Sequence, residues 1–241
     1  MSGTTEFRGF YPETYSFFEG LEKDNSKKYF DRNRDVYDNY VVAPAKAFIN
    51  AVAPFLNQLN PAIRTAPKFN ETIMRLNKDM RFARGVPYRT FMLIHFGRFK
   101  MDSEMYLYID KSGLTLGLFL NKSAEKDLFL SENLSRYEKD FKETFARSGL
   151  NDKYGFYEFQ KEPVQLVKKF NINRHFNLIT KSRFMLFERA FPKTKKICYG
   201  DSIVVEAIKA FSSFYPLYCF AISPTPLKLI REFEDRLGIP E

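Results

Sequence analysis

The 241-residue chain has no tryptophan, two cysteines and two histidines, and these scarcities exclude several chemistries. Cys198 and Cys219 cannot form a disulfide framework for a chain of this size, and there is no C-x-x-C. Buried free thiols in a reducing compartment are the expectation. With two histidines, a zinc site of usual composition would need several carboxylates. Neither H-E-x-x-H nor an EF-hand loop occurs, and Walker A, G-x-G-x-x-G and G-x-S-x-G are equally missing. We therefore expect no cofactor and no metal site. A Ser-His-Asp triad would have to use His95 or His175. A core or sheet-face position is expected for His95, and a surface or packed one for His175.

Secretory and membrane signals are scarce too. The first ten residues lack the basic and apolar regions of a signal peptide. Residues 203–222 form a long apolar run, but it includes Glu206, Lys209 and Pro216. Charges at a membrane-helix centre cost ~2.5–3.5 kcal/mol each, so a buried core helix is expected. The reading is a cytoplasmic protein with no membrane partner. Its oligomeric state is left open.

What the chain has in quantity is phenylalanine and basic charge. Twenty-seven Phe and fourteen Tyr make up the whole of an aromatic share of 17%. No spacing matches the nucleic-acid modules that stack bases on a sheet, so a Phe-filled core is expected. The net charge of +9 favours anionic partners such as nucleic acid or a phosphorylated small molecule. Most of the surplus lies in residues 27–34, 74–100 and 161–196, whereas the first 26 residues are acidic.

Periodicity outlines an α+β fold. Residues 12–23 read as a helix opened by Pro12-Glu13-Thr14. Residues 27–59 read as a longer one that Pro44 and Pro54 must kink or divide. From residue 72 the period becomes two, predicting strands at 72–76, 91–99, 105–110 and 114–120, the last three joined by hairpin-length turns. A helix is expected over 124–147, an edge strand over 183–189, and helices from Ser202, capped by Asp201, and over 225–237. No repeat or linker divides the chain. The expectation is one α+β domain over residues 1–241, an antiparallel sheet of about four to six strands packed against helices from both ends of the chain.

Residues 74–100 are the most one-sided stretch: seven Arg or Lys stand against a single acid, Asp79. On a strand ending near Met80, Arg75, Asn77, Asp79 and Arg81 would share a face. A carboxylate between two arginines holds both guanidinium forks and stays ionised. Gly85 and Pro87 mark a tight connection into Tyr88-Arg89-Thr90, and His95 lies in the strand that follows. The candidate ligand-binding set is Arg75, Asp79, Arg81, Tyr88, Arg89 and His95, fixed donors suited to a phosphate or carboxylate. An internal ion-pair network uses the same pattern.

Four elements carry a family resemblance. They are Phe7, Gly9, Phe10, Pro12, Glu13 and Thr14; the N-S-K-K-Y-F of residues 25–30; Val41 with Pro44; and Arg75, Asp79, Arg81, Phe82, Pro87, Tyr88 and Thr90. Together they resemble the uncharacterised family known as domain of unknown function 2461, best over residues 7–120 and weakly beyond. Lys78 and Arg89 stand where the family has Arg and Lys, and A-R-G-V replaces its S-K-D-K. The resemblance implies a shared site and no particular reaction.

Three functions stay open. The first is a binding protein for an anionic ligand. The second is a metal-independent enzyme in which Arg75, Arg81 and Arg89 bind an anion while Asp79, Tyr88 or His95 handles a proton. The third is a structural or partner-binding protein.

Overall fold

The computed structural model describes residues 6–78 and 85–237. Helix α1 (Pro12–Lys23) starts on proline, carries Glu13 in its first turn and Lys23 in its last, and buries Thr14, Tyr15, Phe17, Phe18 and Leu21 along one stripe. Next come α2 (Lys27–Arg32), whose first turn is capped by the Ser26 hydroxyl, α3 (Arg34–Tyr37), a π-helical turn (Asp38–Val42) and α4 (Ala43–Leu59). The expected long helix is thus divided at Asn33 and again ahead of Pro44, while Pro54 stays inside α4.

Proline explains the π turn. Pro44 has no N–H to offer the carbonyl of Tyr40 one turn earlier. That carbonyl instead accepts from the buried Thr14 hydroxyl, whose oxygen also accepts from the Tyr11 N–H at 3.1 Å. An irregularity in one helix is therefore filled by the first turn of another.

The strands are β1 (Phe91–Phe96), β2 (Glu104–Asp110), β3 (Gly113–Asn121), β4 (Gly155–Phe159), β5 (Pro163–Val167) and β6 (Phe184–Pro192). They form one antiparallel sheet in the order β1-β2-β3-β6-β4-β5. With helices before, between and after the strands, the fold is α+β. Strands β1 to β3 follow the alternation of the sequence. The predicted edge strand at 183–189 is instead the interior strand β6, because β4 and β5 continue the sheet beyond it. Residues 72–76 form bridges, not a regular strand. The expected helix over 124–147 breaks at Tyr137 into α5 (Leu130–Arg136) and α6 (Glu138–Arg147). Helix α7 (Ile172–Lys181) precedes β6. The last two helices are α8 (Ser202–Ile222) and α9 (Pro226–Leu237).

The chain forms two compact units, each drawn from separate stretches. The first takes its described residues from Met1–Phe96, Tyr106–Leu116 and Ala190–Ile208, and the second from Gly97–Met105, Gly117–Arg189 and Lys209–Glu241. Phenylalanine fills both, as its abundance predicts. In the first unit Phe7 meets Phe10 and Phe48 edge-on. In the second, Phe145, Phe156, Phe170 and Phe187 form a cluster with ring centroids 5.1 to 5.5 Å apart. Helix α8 is long and apolar enough to cross a membrane by length and composition, yet 61% of that window is buried inside the protein. Phe211, Phe214, Tyr215 and Tyr218 are among its fully covered side chains.

Candidate functional site

The basic stretch folds back on itself within the first unit. Residues 72–78 lie antiparallel to residues 87–95, joined by Met74 N–H to Leu93 O and Lys78 N–H to Pro87 O at 2.9 and 2.8 Å. His95 N–H to Thr72 O and Arg89 N–H to Leu76 O, at 2.9 and 2.8 Å, complete the set. Two isolated bridges mark the pairing, Ile73 with Ile94 and Asn77 with Tyr88. Ile73 and Asn77 are four positions apart while their partners Ile94 and Tyr88 are six apart, so the ladder slips and no regular strand forms. Ile73, Leu76 and Tyr88 are buried, while Arg75 and Asn77 are exposed.

Arg89 bridges the slip. Its Nη1 donates to the carbonyls of Arg75 and Asn77, both at 3.0 Å, satisfying acceptors that a regular ladder would pair. Among the described residues no partner engages its Nε or Nη2. The result is a guanidinium pinned at one nitrogen, half-buried, beside the exposed Arg75 and the half-buried Lys78. The three cationic residues thus share one slipped ladder, Arg89 through its contact with the Arg75 carbonyl and Lys78 through its N–H to Pro87.

Tyr88 goes elsewhere. Its ring stacks on Phe30, centroids 4.6 Å apart and planes 12° from parallel. Its backbone is bracketed by Asn25, which accepts from the Tyr88 N–H at 2.9 Å and donates to its carbonyl at 3.1 Å. Desolvation, and then Asp31, push the phenol above its ordinary pKa against the opposing pull of Arg34, so it stays protonated at neutral pH. It is packed against α2 and is 7% exposed. His95 sits half-buried in β1, six residues beyond Arg89. Its N–H donates to the Thr72 carbonyl at 2.9 Å, which ties it to the start of the slipped ladder. Asp79 and Arg81 lie outside the described residues.

The sequence reading missed a second polar centre, in the second unit. Asp102 is fully buried. It accepts from the Arg98 backbone N–H at 3.0 Å, Arg98 Nε at 2.9 Å, Arg98 Nη2 at 3.0 Å and the Tyr218 hydroxyl at 3.0 Å. Arg98 also donates to the carbonyls of Ile222 at 3.0 Å and Asp127 at 2.8 Å. Burial, and then the Asp102 charge, drive the Tyr218 phenol well above its usual range. The pair closes the C-terminus of α8. There Asn133 Nδ2 donates to the carbonyls of Phe220 and Ser223 at 2.8 and 2.7 Å, and Phe129 N–H to that of Ala221 at 2.9 Å. A cation at that end also complements the helix dipole. Arg98 is therefore spent internally and leaves the tally of cations available to a ligand. Its only trace in the sequence is an Arg and an Asp four apart in a hairpin turn, where an aspartate is ordinary.

Among the described residues no group of three or more His, Cys, Asp or Glu is placed to hold a metal. Cys198 and Cys219 are buried free thiols. His175 accepts from the Asn171 N–H at 3.0 Å through Nδ1 and so serves the start of α7.

The model of the conserved hypothetical family DUF2461 matches residues 13–220. The chain is a DUF2461 protein. The match runs through β4, β5, β6 and most of α8, so membership rests on much more than the 7–120 segment where the motifs cluster. No curated protein matches it. Several motif residues of this DUF2461 chain contact one another: Asn25 and Phe30 hold Tyr88, and Thr14 serves the carbonyl that Pro44 leaves unpaired. Much of the shared pattern is thus packing.

Proposed function

We propose that this DUF2461 protein is a cytoplasmic binding protein for a phosphate-bearing ligand, held at the slipped ladder by Arg75, Lys78 and Arg89. The observation that carries this reading is Arg89. One nitrogen is fixed by two carbonyls, and among the described residues nothing engages the rest of the fork, which would then offer its donors to an anion whose position is set in advance. Arg75 and Lys78 add charge without being tied to a carboxylate among the described residues. The shared chemistry is the phosphate group, whether on a small molecule or on a nucleic-acid backbone.

The test is fluorescence anisotropy with a labelled single-stranded oligonucleotide, and competition by inorganic pyrophosphate, across a salt series. Arg75→Glu should weaken oligonucleotide binding and lower the salt slope by about one. Arg75→Glu and Lys78→Glu together should abolish binding. Competition by pyrophosphate at low concentration would favour a small ligand, and failure to compete a nucleic acid. Binding that ignores salt, or survives the double change, overturns the proposal. A second reading, a structural or partner-binding protein, draws on the packing of Tyr88 against Phe30 and Asn25. It expects no binding of either probe.

A further inference from the structure

Resting on the binding reading above, we propose that Asn25 is a positioning residue for the anion site. Its side-chain amide pairs with the backbone of Tyr88 and so fixes where Arg89 presents its guanidinium. In an extended segment, successive residues turn their N–H and C=O groups to opposite edges. Pro87 and Arg89 face residues 76–78, through Lys78 N–H to Pro87 O and Arg89 N–H to Leu76 O, both at 2.8 Å. Tyr88 therefore turns its backbone groups to the other edge, where a regular sheet would supply a strand. Asn25 stands in for that strand. Its Oδ1 accepts from the Tyr88 N–H at 2.9 Å and its Nδ2 donates to the Tyr88 carbonyl at 3.1 Å, the two-bond pattern of one residue in a ladder.

The amide is itself held by the helices on either side of it. Asp24 N–H closes the end of α1 on the Gly20 carbonyl at 2.9 Å, and the Ser26 hydroxyl accepts from the Tyr29 N–H at 3.1 Å to start α2. Phe30, also on α2, stacks on the Tyr88 ring. Regular pairing does not set the register where the ladder slips, and this clasp from the helices does. Arg89 is the next residue, with Nη1 spent on the Arg75 and Asn77 carbonyls. The edge turned to a ligand then carries Nε and Nη2, the side-on pair of donors that takes two oxygens of one phosphate. A fork binds by direction, so a displacement of ~1 Å in the backbone that carries it costs affinity without removing any charge.

A double-mutant cycle on the full chain reads this, by anisotropy of the labelled single-stranded oligonucleotide well below the melting temperature. Asn25→Ala should weaken binding roughly three- to tenfold, the range for immobilising one long side chain afresh on binding. Its salt slope should match the native one, because no cation is lost. Arg89→Lys keeps the charge, loses the fork and should weaken binding roughly tenfold. In the Asn25→Ala chain the same Arg89→Lys change should cost less than about twofold, since a fork no longer aimed has little to lose. Asn133→Ala, which removes two hydrogen bonds to carbonyls at the end of α8, should lower the melting temperature and leave affinity unchanged. Should Asn25→Ala unfold by circular dichroism, Asn25→Ser takes its place in the cycle. Additive effects of the two changes, or an Asn25 variant that binds like the native chain, overturn the proposal while a weakened Arg75→Glu upholds the site. A native chain that binds neither oligonucleotide nor pyrophosphate overturns both.

Discussion

Replacing Asp102 with asparagine changes no volume and removes one buried charge. The carboxylate takes four hydrogen bonds, three from Arg98 and one from the Tyr218 hydroxyl, and is fully covered. Asparagine has one carbonyl oxygen and one NH2. In either orientation its NH2 faces a donor, either Arg98 Nη2 or the group formed by the Arg98 N–H, Nε and the Tyr218 hydroxyl. The Arg98 side chain, 18% exposed, is left as a largely buried cation without its counter-charge. Breaking a buried pair from one side costs about 3–5 kcal/mol. With an unfolding entropy of ~2.1 cal/mol/K per residue, this chain should lose about 6–10 °C in melting temperature. Tyr218→Phe removes one of the four bonds, about 1.5–3 kcal/mol, and should lose about 3–6 °C. Asp235→Asn, an exposed control on α9, should stay within about 1 °C. Thermal melts followed by circular dichroism, paired with urea midpoints, give the ranking. An Asp102→Asn chain that melts within about 2 °C of the native protein would refute the reasoning, because an ionised, fully bonded Asp102 cannot be neutralised so cheaply.

Two further outcomes follow from the geometry. Tyr88→Phe keeps the ring on Phe30 and should change stability and anion affinity little, whereas Tyr88→Ala should cost about 3–5 kcal/mol in urea unfolding. A large loss of binding in the phenylalanine variant would return the hydroxyl to the site. Stability should also fall in alkali. Burial, and then Asp38, push Tyr37 up to about 12 against the opposing Arg34, and burial raises Tyr15 and Tyr218 further. Below the unfolded value of about 10 both states keep their protons and the contribution is complete. Between about pH 10 and 12 the unfolded chain loses protons first, and each such tyrosine costs about 1.4 kcal/mol per pH unit. Urea midpoints should be flat below about pH 10 and drop above it; a rise there would contradict the burial of these phenols.

Local alternation made β1, β2 and β3 legible, since each has a covered face and leaves period two in the sequence. β5 left no such signal because neither of its faces is covered, and with both β4 and β5 unread β6 reads as an edge. The break at Asn33 follows no proline or glycine, whereas the π turn before Pro44 has a cause in the sequence. The charge of residues 74–100 could be read directly, but its allocation could not. Arg89 bonds backbone, Arg98 bonds a buried aspartate, and Arg75 remains exposed, a division set by partners up to 124 positions away. Tyr88 reads as chemical beside arginines; its packing is set by Phe30 and Asn25, which sequence spacing does not connect to it.

The way the chain is shared between its two units has a consequence for how it leaves the ribosome. The helices of the first unit are made early, but that unit also needs Ala190–Ile208, as in the bond from the Tyr15 hydroxyl to the Cys198 carbonyl, 183 positions along the chain. At ~5–20 residues per second, roughly a hundred intervening residues mean about 5–20 s in which the apolar stripe of α1 waits without part of its cover. The nascent protein is therefore a natural client for holding factors, and its yield in cells should depend on the speed of translation as well as on the stability of the finished fold.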